Sequence, residues 1–344
     1  MSKETSHEIS RRKFVYQTGV LAATALAGRG QETLAQQGET SAQQTDAIPK
    51  RVLGKTGVPV TIMTLGTAPC GFIKPHDPQH VADCVNAAID LGVSAIDTAP
   101  AYDVAQEGVG LALGKRRKQV FLSTKVLADD VPAAEKILAH SLKMLKTDYV
   151  DLLYFHQTGD RKVEICRNPD GVFTWLVKQK KAGKIRFVGI SIHNRPQKCI
   201  ELLESGDVDV LLTIINFVDR HTYRFEEKVL PIARKHNVGI VAMKAFGGGR
   251  NGNYADPNCP PQLDVQHLEL AVRYTLGVPG VATLDIGCHN VEQIRKNIAM
   301  VRSAKPLAAD ELAKVEALGK ELAAQWKEHL GPIAGTATHR VNIA

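Results

Sequence analysis

From residue 50 onward the chain alternates short, continuously apolar runs with longer segments whose apolar residues recur every three or four positions. The runs are Ile62–Gly66, Ala95–Thr98, Val120–Thr124, Tyr149–Phe155, Phe187–Ser191, Val210–Ile215, Gly239–Met243 and Ala282–Ile286. Between them lie helical patterns such as Val81–Leu91, Ala133–Leu145, Val172–Lys181 and Leu268–Leu276. Strands that are apolar without alternation are covered on both faces, as in parallel sheets wrapped by helices. Eight such strands close an α/β barrel of the (β/α)8 TIM type. An open, doubly wound sheet is the alternative, but it would carry a glycine fingerprint at the first strand-to-helix turn. Ahead of the first run, Arg51–Leu53 and Val58–Val60 flank Gly54-Lys55-Thr56-Gly57, which predicts an N-terminal β-hairpin. A last helical pattern at Leu312–Trp326 predicts a C-terminal helical extension that covers the barrel or forms an interface. The barrel is thus expected over 50–307, with a helix and tail over 308–344.

The first 49 residues read differently. Ser10-Arg11-Arg12-Lys13-Phe14-Val15 precedes a weakly apolar stretch, Gly19–Ala27. A charged start, a short apolar region and a small-residue end describe a secretory signal peptide. The adjacent arginines resemble the twin-arginine kind. Cleavage is expected after Ala27 or Ala35, and residues 36–49 read as a polar, disordered linker. The expectation is export to the periplasm by the twin-arginine (Tat) machinery, with a cytoplasmic location as the alternative. The apolar stretch is too short to remain as a membrane anchor.

Composition narrows the classes further. Hydrophobic residues are 44% and charged residues 23%, as in ordinary globular chains. A net charge of +7 raises nucleic-acid binding, but aromatics are only 5% and no recognition motif is present. The one dense basic run, Lys115-Arg116-Arg117-Lys118, reads as a solvated helix end. Six cysteines occur without a Cys-x-x-Cys pair, so no zinc or iron–sulfur site is expected. Most should be small buried hydrophobes.

In a closed barrel, chemistry sits where strands end and their loops begin. The second run ends in Asp97-Thr98-Ala99-Pro100-Ala101-Tyr102, the third in Ser123-Thr124-Lys125, the fourth in Phe155-His156-Gln157. Singly, Asp97 could cap a helix, Lys125 could be a rim charge, and His156 could satisfy a core backbone group. Together they describe a proton donor and an oxyanion site. A lysine cation beside a tyrosine favours the phenolate and lowers its pKa from about 10. Asp97 can orient that lysine, and a neutral histidine can donate to a substrate oxygen. Such a set suits carbonyl reduction.

These motifs make the chain resemble the aldo-keto reductase family. Asp97–Tyr102 is similar to its Asp-Thr-Ala-x-x-Tyr, Ser123–Lys125 to its Ser-Thr-Lys, and His156 to its strand-four histidine. The resemblance implies hydride transfer between a nicotinamide cofactor, NADP(H) or else NAD(H), and an aldehyde or ketone. Tyr102 would be the general acid, Lys125 and Asp97 its tuning pair, and His156 the substrate-orienting donor. It further implies cofactor contacts from Ser191, Asn194, Lys244, Gly247, Gly248, Gly249, Gly287, Gln293 and Asn297. Leu212 stands where a glutamine is usual, Ile192 where an asparagine is usual, and Lys296 where an acid is usual.

Two glycine patterns remain. Gly247, Gly249 and Gly252 follow the seventh run without a helix after them, and could present amides to phosphate. Gly108, Gly110 and Gly114 lie in a helix-like stretch and read as tight helix packing. Neither has the context of a Rossmann fingerprint. Two rivals stand beside the reductase. One is a non-catalytic cofactor-binding barrel. The other is a barrel hydrolase, for which this rim offers Asp97 no second carboxylate. Loops Phe72–Gln79, Gly159–Asp170 and Asn251–Pro261 and the tail after Ala308 are expected to set specificity; oligomeric state is not encoded legibly.

Overall fold

The structure, a computed structural model, describes residues 47–335. The chain divides after Thr45 into two units. The expected signal segment, both expected cleavage positions, most of the expected linker and the tail beyond 335 lie outside the described residues. The second unit begins with β1 (Lys50–Val52) and β2 (Pro59–Thr61), an antiparallel hairpin pairing Arg51 with Val60. Eight strands follow: β3 (Met63–Gly66), β4 (Ala95–Asp97), β5 (Phe121–Val126), β6 (Val150–Phe155), β7 (Ile185–Ile192), β8 (Val210–Ile214), β9 (Gly239–Met243) and β10 (Val281–Gly287). They close in chain order, all parallel, with β10 returning to β3. Each of the eight apolar runs is one of these strands.

The hairpin closes the end of the barrel where the strands begin. Leu53 is buried there against Gly239, where an added Cβ would fall 2.7 Å from the leucine side chain. At the opposite end the strands deliver polar side chains to the mouth. Inside the barrel Thr64 and Thr283 share a hydrogen bond of 2.9 Å, so its lower layers are partly polar.

Glycines in the helix Ala105–Leu113 allow close packing, as their pattern suggests. A Cβ on Gly110 would lie 2.1 Å from the Met144 carbonyl, and one on Gly108 would lie 2.4 Å from the Cβ of Val81. Backbone cannot yield as a side-chain tip can. Gly110→Ala is therefore expected to lower stability by about 1–3 kcal/mol, the usual range for overpacking. A urea midpoint equal to wild type would show that the helices part freely.

The basic run departs from expectation. Arg117 is buried, not solvated. It pairs with Asp151 at 2.8 Å, donates to the carbonyls of Val120 and Tyr149, and stacks 4.2 Å from the Tyr149 ring. A buried carboxylate on β6 thus recruits one cation out of a run whose neighbour Arg116 meets Asp90 at the surface. Five cysteines are buried and Cys259 is half-buried, and all six are free thiols. Among the described residues no helix is long and apolar enough to cross a membrane, and no cluster of three side chains could hold a metal.

The C-terminal helix, Ala309–Trp326, packs across the loop that follows β8. Gly319 lets it approach the Phe217 carbonyl, and Arg220 reaches Glu316 at 2.9 Å. Trp326 rests against Gly247 after β9. Beyond the helix, His329 meets Asp219 at 2.9 Å, and the Leu330 carbonyl accepts from Asn194 at 3.3 Å. The extension covers the mouth loops.

Candidate active site

Asp97 ends β4 and Lys125 stands near the end of the neighbouring β5, so both side chains arrive at one side of the mouth. The Lys125 ammonium binds Asp97 Oδ2 and donates to the Thr98 carbonyl at 3.0 Å. Ser123 Oγ donates to Asp97 Oδ1 at 2.6 Å. Both carboxylate oxygens are therefore engaged within the barrel, and Asp97 caps no helix. Beyond β4, a turn closed by Tyr102 N donating to the Ala99 carbonyl at 3.1 Å folds the tyrosine back over the lysine. Lys125 Nζ lies 4.8 Å from the centre of the Tyr102 ring. Phe72 meets that ring edge-on at 6.0 Å, and Ala99 and Ala105 pack around it.

The electrostatics refine the expected tuning. Burial pushes the Tyr102 phenol up to about 12. Lys125 opposes that rise, while Asp97 and Asp285 add to it. The lysine does favour the phenolate, but desolvation of the buried phenol outweighs it. Burial also opposes the charge on Lys125, yet Asp97, Tyr102 and Asp285 more than offset this and hold its pKa above the usual value. The site therefore presents a neutral phenol beside a permanent cation.

A cleft of about 380 Å³ opens above this floor, within the range of ordinary ligand sites. Asp97, Tyr102 and Lys125 lie at one part of its wall; Ser191, Lys244, Gly248 and Gly249 form another; Gly287, Gln293, Lys296 and Asn297 line a third. The helix Val291–Ser303 presents the last three from its first turns, and Asn290 caps it by accepting from Gln293 N at 3.0 Å. Two expected cofactor contacts are not on the wall. Asn194 is buried and holds the C-terminal segment through Leu330, and the Gly247 amide donates to the Lys244 carbonyl beneath Trp326. Leu212 and Met243 line the cleft as apolar surface.

His156 is buried just past β6 and does not reach the cleft lining; the imidazoles that do are His193 and His289. Burial holds His156 and His193 well below the usual histidine value. Lys125, His193, Arg161 and Lys244 depress His156 further, as Lys244 and Lys125 depress His193. Both rings are neutral in the fold. An unfolded histidine protonates near pH 6.5, so below that the unfolded chain binds more protons and each buried ring subtracts stability as pH falls. In His193→Gln this loss is gone. The melting temperature of the variant relative to wild type should climb between about pH 7 and about pH 5. A pH-independent difference would mean that His193 is charged in the fold.

Four polar side chains of the cleft, Tyr254, His289, His193 and Asp285, carry no motif in the sequence. Tyr254, in the loop Asn251–Pro261, accepts from Lys244 Nζ at 2.6 Å and lies 4.7 Å beneath it. His289 contacts the Tyr254 carbonyl at 3.0 Å. His193 has been described. The fourth is Asp285, on β10 beside Asp97, and it is the second carboxylate that the rim had seemed to lack. Burial and the Asp97 charge push its pKa up to about 8, against the pull of Lys125 and Lys244. A lone acid in the apolar stretch Val281–Ile286 was the available signal. This pair does not restore the hydrolase reading. Glycosidase carboxylates stand about 5 Å or more apart to flank a bond, whereas these two touch and Asp97 is already held by Lys125 and Ser123.

The profile of the aldo/keto reductase family matches residues 62–263, more than half of the chain. The chain belongs to that family. An uncharacterized oxidoreductase of Bacillus subtilis (strain 168), YqkF, is 26% identical over 313 residues, spanning 79% of this chain and 97% of that protein. The L-galactose dehydrogenase of Arabidopsis thaliana is 24% identical over 306 residues, spanning 79% and 94%. A crystal structure of an aldo-keto reductase from Klebsiella pneumoniae in complex with NADPH aligns with a TM-score of 0.64 at 23% identity, over 79% of this chain and 95% of that one. That likeness shows the shared barrel. Family membership makes this chain an oxidoreductase.

Proposed function

We propose that the protein reduces an aldehyde or ketone with hydride from NADP(H), with Tyr102 giving its proton to the nascent alkoxide. The observation that carries this reading is the neutral phenol over Lys125, itself held by Asp97, on the floor of an open cleft. A phenol pushed up to about 12 keeps its proton through the neutral range, so the site is poised to donate. As the alkoxide takes that proton, charge moves onto the tyrosine oxygen, beside a cation that needs no rearrangement. His193, neutral and on the cleft wall, is a donor for the carbonyl oxygen.

The residues present fit an elongated, anionic dinucleotide. Lys244 and the backbone of Gly248 and Gly249 line one wall, Gly287 and Gln293 another, and Lys296 with Asn297 the far end. Lys296 is the cation available there for a 2′-phosphate, although it now pairs with Glu292 at 2.7 Å. Bound nicotinamide supplies the hydride; the chain supplies orientation, the proton and shelter from water. The test follows nicotinamide oxidation by purified protein against a panel of aldehydes and ketones, with NADPH and NADH in parallel. Turnover that is faster with NADPH is expected. Folded protein that binds the cofactor and reduces no carbonyl would contradict the reading.

Export belongs to this proposal as well. Arg11 and Arg12 support twin-arginine transport of an already folded, cofactor-loaded enzyme. Fractionation of cells should find wild type in the periplasm and the Arg11→Lys/Arg12→Lys variant in the cytoplasm. Equal distribution of the two would overturn it.

A further inference from the structure

Asp285, the half-buried acid on β10, is a polar group of the cleft wall that the proposed chemistry does not use. Register pairs Asp285 with Thr64 on β3 and Met243 on β9, and β3 lies between Asp285 and Asp97 on β4. The residue of β3 that pairs with Asp97 is Gly66. An added Cβ there would fall 2.6 Å from Asp285 Oδ1, so the Asp285 side chain leans across a gap that only glycine leaves open. Its far side is the Asp97 carboxyl. Oδ1 is enclosed, and no N–H or O–H of the described residues donates to it. Asp97 brings no donor either, since its oxygens accept from Ser123 and Lys125. Two carboxylates in contact cannot both ionise at modest cost; one proton between them resolves the repulsion.

We propose that Asp285 is a positioning residue of this site: reaching over Gly66, it holds a proton against Asp97 and so fixes the carboxylate that grips Lys125. The pair then carries one negative charge, which balances the one ammonium beneath Tyr102. When the proton leaves, a second negative charge faces the same groups. Those groups are Asp97 from β4, Tyr102 after it, Lys125 from β5, Tyr154 from β6, Lys244 after β9 and Cys288 after β10. The added charge holds the lysine more tightly to carboxylate and makes the phenolate harder to form. The catalytic consequence rests on Tyr102 being the proton donor; the shared proton does not.

The test compares wild type with Asp285→Asn and Asp285→Leu. Asparagine keeps the size and offers Asp97 an N–H donor without titrating, whereas leucine offers none. In ligand-free protein, infrared difference spectra of wild type minus Asp285→Asn should show a carboxylic-acid C=O band near pH 6. The band should be gone near pH 10, about two units to either side of the titration. Ultraviolet titration, referenced to Tyr102→Phe, should find the Tyr102 phenol more acidic in Asp285→Asn than in wild type. In turnover, Asp285→Asn should stay within about threefold of wild-type kcat at neutral pH and lose the alkaline limb of the pH profile, while Asp285→Leu falls about tenfold in kcat with KM unchanged. No acid band, or an unshifted phenol in Asp285→Asn, would overturn the proposal. Both readings use ligand-free protein, so they fail independently of the carbonyl-reduction assays, and an inactive wild type would sink the function alone.

Discussion

Tyr102→Phe is expected to bind NADPH as wild type does and to reduce carbonyls about 10²–10⁴-fold more slowly, the range that a positioned general acid contributes. The substitution removes one oxygen. The ring keeps its edge-on contact with Phe72 and its place over Lys125, so the alanines that cradle it see no change of shape. What is lost is the proton that meets the alkoxide, and with it the partner for the Lys125 charge in the transition state. The loss should fall on kcat and leave KM nearly unchanged, because the interaction is made only as charge develops. Cofactor fluorescence quenching checks binding, and steady-state kinetics check the rate. Turnover within a fewfold of wild type would remove the tyrosine from the mechanism.

Lys125→Met should be at least as damaging, and it should also weaken the fold. The ammonium is buried and is the cation paired with Asp97 among the described residues, next to a second acid. Removing one member of a buried ion pair typically costs about 3–5 kcal/mol, because the other charge is left uncompensated. Here the burden falls on two acids. The deficit should therefore grow as pH rises, where the unfolded chain ionises both carboxyls freely and the fold must keep them protonated. Urea unfolding at several pH values reads the stability, and circular dichroism establishes that the protein assayed for activity is folded. A folded Lys125→Met protein with wild-type turnover and pH profile would dissolve the proposed relay.

Much of the architecture was legible because its signal is repetitive. Eight continuously apolar runs, separated by helical periods, leave little choice but a closed parallel barrel, and Asp97, Tyr102 and Lys125 were readable as strand-end residues. The remainder depends on contacts that join distant segments. Arg117 reads as one more surface base until Asp151, 34 residues later, buries it. Asn194 reads as a cofactor ligand until the carbonyl of Leu330, 136 residues on, claims its amide. Whether His156 or His193 faces the cleft depends on how the loop after each strand turns, and strand patterns do not encode that. The Tyr102 pKa shows a different limit. Its partner was evident, but the depth of burial that decides the sign belongs to Phe72 and the surrounding alanines. Asp285 was visible as an acid in an apolar strand. Its meaning required knowing that Gly66 opens a path from β10 to β4.

The central claim is that hydride reaches a carbonyl carbon while Tyr102 protonates its oxygen. The direct measurement supplies NADPH carrying deuterium at the transferable position of nicotinamide C4, with an aldehyde and ketone panel, and analyses the products by mass spectrometry. Wild type should yield an alcohol with one deuterium on the former carbonyl carbon, and Tyr102→Phe, with cofactor bound, should yield almost none. Unlabelled product throughout the panel, or equal labelling by the two proteins, would contradict the account.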